Sequence, residues 1–389
     1  MATESIVFYM FVIFSGAALL ATLGLYARQS LLVIYMLSGV LVGPSVLGLV
    51  DDDVVIKQIA HIGVIFLLFL IGINLPPQKL FLMLCKTSVI AGISSVLFLL
   101  LGLACGFAFG YTLAESMIIG IAMMFSSTII GLKLLPTTVL HHQHTGEIII
   151  SILLLQDFIA IFILMLLPVQ WQEGMPWLEM VQLALSLLGL ITFAYLFERW
   201  VLIKLIRRFN RLHEYIFLMA IGWCLGMAEL ASMLGLSAEV GAFIAGVALA
   251  TSPIALFISD NLRPLRDFFL VIFFFALGAG FDLSILGGVL LPSLVIAVLA
   301  MSLKPFIFKM LLVRFREPAD VSLEVGVRLG QISEFSLFIA VLALQLELIG
   351  EIVSSVIQLS TMLTFIFSSY FIVKHYPSPI AISDKLRRD

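Results

Sequence analysis

The chain has 389 residues, 62% of them hydrophobic and 12% charged, with a mean hydropathy of +1.20. That excludes an ordinary soluble domain, in which about a quarter of residues are charged. Apolar runs of about 20 residues recur along the whole chain, long enough to cross a hydrocarbon core roughly 30 Å thick, whereas a β-barrel needs short alternating segments. The net charge of −3 says little about partners, because the distribution of charge matters more than its sum.

The runs predict an all-α polytopic membrane protein of about thirteen transmembrane helices. They fall near residues 5–26, 30–48, 56–74, 85–110, 114–138, 145–168, 176–198, 214–234, 237–257, 265–283, 285–314, 321–347 and 351–374. The first run lacks a basic leader and is too long for a signal-peptide core, so it reads as a span. Cys85, Cys105 and Cys224 have no paired spacing and read as packed thiols.

Basic residues fall in alternate connections: Arg28; Lys79 and Lys86; Lys133; Arg199, Lys204, Arg207, Arg208 and Arg211; Arg263 and Arg266; Arg314 and Arg316; Lys385, Arg387 and Arg388. The opposite connections carry almost none. The positive-inside rule then predicts an outer N-terminus and a cytoplasmic C-terminus. Trp171 and Trp177 flank an outer loop, where interfacial aromatics belong.

Ile62–Leu75 aligns with Leu270–Leu283: Phe66 with Phe274, Gly72 with Gly280, Asn74 with Asp282. The two copies run in opposite directions by span count, which predicts inverted repeats over 5–168 and 214–374, about six spans each, joined by a linker helix at 176–198. Chance similarity between two Phe- and Leu-rich helices is the alternative. The same register carries Phe125-Ser-Ser-Thr128 of the fifth span onto Gly330-Gln-Ile-Ser-Glu-Phe-Ser336 of the twelfth. Polar interruptions at corresponding places in two halves predict crossed discontinuous helices at a binding site. The plainer alternative is hydroxyls bonded to their own helix or gluing neighbours.

The charges inside the spans come next. Asp157, with Gln156 beside it, sits in the apolar run Ile152–Ile161. An acid at the centre of a bilayer helix costs roughly 3 kcal/mol or more, and such groups default to function. Burial raises an Asp pKa and a nearby cation lowers it, so one carboxylate can exchange a proton for a monovalent cation. Gln156 offers an uncharged carbonyl oxygen, and Ser126, Ser127 and Thr128 offer hydroxyls. Lys304, before Pro305, has three readings: a partner of Asp157, a partner of Glu334, or a donor to carbonyls of a broken helix. Pro305 should kink its helix. Glu334 reads as a charge-compensating partner, and Ser333 and Glu239 as further candidate ligands, though Glu239 also suits a helix N-terminus. Glu229 is ambiguous, and Arg328 is expected to snorkel to the cytoplasm. His141, His142 and His144 read as a hydrated loop, a pH sensor or a metal site.

This ordered set resembles the monovalent cation:proton antiporter-2 family: Gln156-Asp157, Ser126-Ser127-Thr128, Glu239–Gly246, Phe273–Gly278 and Gly330–Phe335. The Gln-Asp pair is most similar to the Kef-type potassium/proton antiporters. The resemblance implies a sodium/proton-antiporter-like fold in a bacterial inner membrane and a homodimer. Spans one to three and eight to ten would form a scaffold. Spans four to six and eleven to thirteen would form an elevator-like moving core. It implies that Asp157 binds cation and proton competitively, that Lys304 balances the core's charge, and that exchange is electroneutral. Kef-type proteins usually continue into a cytosolic nucleotide-binding domain. This chain stops at Asp389 without a Gly-x-Gly-x-x-Gly after a strand, so the expectation is a chain cut there or a member lacking that domain.

The expectation is therefore a K⁺/H⁺ antiporter and not an enzyme, with no cofactor and no nucleic-acid partner. The alternatives are a Na⁺/H⁺ antiporter of the same fold, a K⁺ channel without proton coupling, an organic-anion symporter and a non-transporting scaffold.

Overall fold

The computed structural model describes residues 6–27, 29–50, 53–73, 87–133, 144–167, 177–209, 213–250, 252 and 255–377. Arg28, Asn74, Leu75, Lys79, Cys85, Lys86, His141, His142, Trp171, Arg211, Lys385, Arg387 and Arg388 lie outside the described residues. Among those described the secondary structure is helical, with no strand. That is what apolar runs require, since a backbone in lipid must satisfy its own polar groups.

In chain order the helices are α1 Ile6–Tyr26, α2 Leu31–Val42, α3 Asp53–Ile73, α4 Ser88–Ala108, α5 Leu113–Met124, α6 Thr128–Lys133, α7 His144–Leu166 and α8 Trp177–Phe197. A π-helical turn at Glu198–Leu202 leads into α9 Ile203–Arg208. Then follow α10 His213–Met233, α11 Ala238–Ala250, α12 Ala255–Ala279, α13 Leu286–Arg314, α14 Ala319–Arg328, α15 Glu334–Gln345 and α16 Glu351–His375.

Among the described residues seven helices are long and apolar enough to cross a membrane, and five shorter apolar ones accompany them. The chain is thus a multi-pass membrane protein; these lengths alone do not give the count of thirteen. The expected fifth and twelfth spans are each split in two, as α5 with α6 and α14 with α15. The expected tenth span starts earlier, because α12 runs back to Ala255. Its first turns hold Asp260, paired with Arg263 at 2.7 Å. Charge excluded that stretch from an apolar run but does not stop a helix. Pro305 does not end its helix either: α13 is one element of 29 residues with two internal prolines.

Two compact units divide the chain. The first comprises Met1–Asp51, Met83–Ala160 and Leu277–Asp389. In it α4 and α5 cross at Gly102 and Gly120, where a Cβ on Gly102 would lie 2.6 Å from the Gly120 Cα. Only glycine permits that approach, the usual device for close helix contact in lipid. Thr112 and Glu115 form a capping box that starts α5, satisfying two orphan N–H groups. A cluster including Ile90, Phe98, Ile149, Ile152 and Phe308 seats α7 against α4 and α13.

The second unit comprises Asp52–Leu82 and Ile161–Ala276. Here α3 and α11 meet at Gly72 and Gly246, and a Cβ on Gly246 would strike the Phe69 carbonyl. Trp223 donates to Ala245 O at 3.0 Å and stacks on Phe197. α1 and α2 belong to the first unit. There Ser45 donates to Phe281 O at 2.8 Å, and Gly43 packs on Ala279.

Asp282, matched to Asn74 in the proposed repeat, caps the 3₁₀ turn Leu283–Ile285. Its carboxylate accepts from the Ser284 N–H at 2.8 Å and from the Ser284 side chain at 2.7 Å.

Candidate functional site

Each broken helix restarts on a serine. α5 ends at Met124 and Phe125 is extended, at φ −92° and ψ 149°. Ser127 then accepts from Ile130 N at 3.1 Å and opens α6. In the second break Ser333 accepts from Phe335 N at 3.1 Å and opens α15. Serine is a strong N-cap because its oxygen takes an N–H that the helix leaves unpaired.

The two breaks lie against each other. Ser126 Oγ donates to Leu329 O at 2.7 Å, and Ser336 Oγ donates to Ala122 O at 2.6 Å. Of the alternatives for these hydroxyls, Ser126 thus bonds across to the other break and not back to its own helix.

α7 turns its 149, 152, 153, 156, 157, 160 face inward and leaves Phe158 and Phe162 exposed, the 3.6-residue period of a helix with one buried side. Gln156 is 0% and Asp157 2% exposed. Gln156 Oε1 accepts from Ser126 N at 3.0 Å, and its Nε2 donates to Met124 O at 3.1 Å. Its carboxamide therefore stands where the helix lacks a peptide bond, splinting the first break. The oxygen expected to face an ion is engaged by the backbone. Thr128 Oγ1 lies 3.1 Å from each carboxylate oxygen of Asp157.

Lys304 is 0% exposed. Its ammonium donates to Phe125 O at 2.8 Å and Gln331 O at 3.0 Å, and lies 5.1 Å from the Phe98 ring centroid. Of the partners the sequence left open, the contacts seen here are carbonyls of the broken helices, one from each. Glu334, buried at the start of α15, is within electrostatic range of Asp157. An acid in the first turn also suits that helix end.

The peptide units beside the ammonium are satisfied at both ends. The Phe125–Ser126 peptide gives its C=O to Lys304 and its N–H to Gln156. The Gln331–Ile332 peptide gives its C=O to Lys304 and its N–H to Thr364 Oγ1 at 3.1 Å. Buried peptide groups outside a helix require such partners. Gln331 and Thr364 are polar contacts that sequence reasoning did not single out. Thr364 lies in a long apolar helix where hydroxyls usually bond their own backbone.

Other candidates fall elsewhere. Glu239 belongs to the second unit and faces His61 Nδ1 at 3.5 Å. Glu229 is exposed on α10. Arg328 does not snorkel: it is buried, bonds Glu324 at 2.9 Å and Pro377 O at 2.8 Å, and lies over the Tyr376 ring. Protein acceptors replace the water that snorkelling seeks. His144 sits 2.8 Å from Glu317.

The splint predicts the effect of Gln156→Glu. The new carboxylate has no donor for Met124 O and sets oxygen against oxygen. The expected loss is about 1–3 kcal/mol of stability, the usual penalty of an orphaned buried acceptor. A thermal-unfolding series in detergent, including Gln156→Ala, checks it; a Glu variant as stable as the parent refutes the splint.

Comparison with known proteins agrees with this architecture. The family model described as sodium/hydrogen exchanger, transmembrane, matches residues 10–374. The chain is 30% identical over 360 residues to the putative cation/proton antiporter YbaL of Escherichia coli, covering 87% of this chain and 63% of that protein. It is 29% identical over 329 residues to K(+) efflux antiporter 5 of Arabidopsis thaliana, covering 79% and 56%. It is 28% identical over 353 residues to the iron transporter MagA of Paramagnetospirillum magneticum, covering 89% and 80%. The chain thus spans little more than half of the Arabidopsis relative's length. The fold matches that of the sodium proton antiporter MjNhaP1 from Methanocaldococcus jannaschii, with TM-score 0.70 at 17% identity over 96% of both chains. The chain belongs to the sodium/hydrogen exchanger family.

Proposed function

We propose that this protein is a secondary active antiporter that exchanges a monovalent cation, K⁺ by preference, for H⁺ without net charge movement. The observation that carries the reading is the Asp157 carboxylate, nearly dry, touching Thr128 at the first helix break. A carboxylate so placed is stabilised by binding either a proton or a metal cation, and one acid takes one of either. Lys304 and Glu334, of opposite charge, are the charge-compensating residues of this reading. Thr128 is the candidate ligand in direct contact. Ser126, Ser127, Ser333 and Gln156 serve first to hold the breaks open.

The preference for K⁺ is supported by relatives named as K⁺ efflux antiporters and as the potassium-efflux protein KefC. Na⁺ is the second reading, supported by the name of the matched family. In our reading thirteen spans form two inverted repeats around the linker helix, with the N-terminus outside and the C-terminus in the cytoplasm. Residues around Asp157 move as an elevator within a homodimer in a bacterial inner membrane.

Flux in proteoliposomes tests the proposal. With a pH-sensitive dye and an imposed proton gradient, adding K⁺ or Rb⁺ outside should collapse the gradient, Na⁺ and Li⁺ less so. A response to Na⁺ alone selects the second reading. Cation currents without proton movement select a channel and overturn antiport.

A further inference from the structure

An ammonium seated on the Asp157 carboxylate would occupy the site in place of the cation. Both groups attach to the same short break, Lys304 at Phe125 O and Asp157 at Thr128, three residues apart in the chain. What holds the ammonium elsewhere is a pair of carbonyls, and a carbonyl in a broken helix has no helical neighbours to aim it.

The aim of the first carbonyl comes from Gln156, through the N–H of the same peptide. The second carbonyl, Gln331 O, is aimed by two groups outside the expected site. Thr364 Oγ1 takes the Ile332 N–H of that peptide at 3.1 Å, while donating to Thr361 O at 2.9 Å. The Gln331 side chain pins the residue itself. Its Nε2 donates to Arg328 O at 2.9 Å and reaches Ser127 O at 3.4 Å, and its Oε1 accepts from Ser368 at 3.0 Å. Gln331 is fully buried, as are Thr364 and Ser368, so water is not at hand to replace a lost bond.

We propose that Thr364 and the Gln331 side chain are positioning residues that aim the Gln331 carbonyl at Lys304 and so keep its ammonium off the cation site at Asp157. The proposal rests on the antiport reading. It assigns α16 a part in cation affinity, although Thr364 touches neither Asp157 nor the first break among the contacts described. Loosening the carbonyl frees the ammonium to compete with the cation for one carboxylate, because opposite charges close together stabilise each other. The charged group that acts on Asp157 is Glu334 from α15; Lys304 of α13 is held by the two carbonyls, and Arg328 of α14 is committed to Glu324 and Pro377.

The test is a kinetic split. In proteoliposomes, Thr364→Val should raise the apparent KM for K⁺ on the order of five-fold, the worth of one net hydrogen bond. Vmax per folded transporter should change little, and Thr364→Ser, which keeps the hydroxyl, should match the parent. Gln331→Leu should move KM the same way and further. A merely structural role lowers the folded amount or Vmax and leaves KM alone; that result in Thr364→Val overturns the proposal even if Gln331→Leu does not fold. A parent protein without cation-dependent proton flux defeats the antiport reading and this inference with it. An active parent with an unchanged KM in the variants defeats this inference alone.

Discussion

Asp157→Asn is expected to abolish cation-dependent proton flux while leaving the protein at least as stable as the parent. Asn keeps the size of the side chain and an oxygen for Thr128, which donates to the carboxylate in the native protein. It loses the one negative charge that a cation or proton neutralises. A carboxylate that is 2% exposed suffers desolvation that a neutral amide largely escapes, so Tm should hold or rise. Flux and Tm must be read together: a dead variant with a collapsed Tm says only that folding failed. Exchange persisting at parental rate in a folded Asp157→Asn protein would remove Asp157 from the mechanism.

The second large effect belongs to Lys304→Met, and it is one of stability. Met fills most of the volume but offers no donor to Phe125 O or Gln331 O, both served by the ammonium. Each orphaned carbonyl costs about 1–3 kcal/mol, and the contact over Phe98 is lost as well. Tm should fall steeply, and Lys304→Gln, which retains an N–H donor, should fall less. The double variant Lys304→Met/Asp157→Asn separates two pictures. Were Lys304 held mainly by Asp157, removing both charges would restore stability. With carbonyls as its partners, the double variant stays as unstable as Lys304→Met. Recovery to the parental Tm would refute the carbonyl assignment.

What could be read from residues alone follows from the local character of the signals. Lipid imposes helices on long apolar runs, and a serine pair or a Gly-Gln-Ile-Ser stretch inside such a run marks an interruption wherever the run lies. The breaks at Ser126–Ser127 and Gly330–Ser333 were therefore legible, as was the anomaly of Gln156 and Asp157. The extent of α12 was not, because Asp260 and Arg263 look like a loop until they are seen paired on a helix face. Arg328 looked destined for water because nothing near it in sequence predicts Pro377 as its acceptor.

Composition, hydropathy and a few misplaced polar residues were enough to establish a polytopic helical protein with an acid where lipid forbids one. The partners of Gln156, Lys304, Gln331 and Thr364 had to come from the folded chain. These bonds join residues from 27 to 204 positions apart, and a hydrogen bond is decided by where two atoms meet in space. Periodicity and pattern tell which face of a helix is buried. They do not tell which backbone carbonyl a buried ammonium will find there.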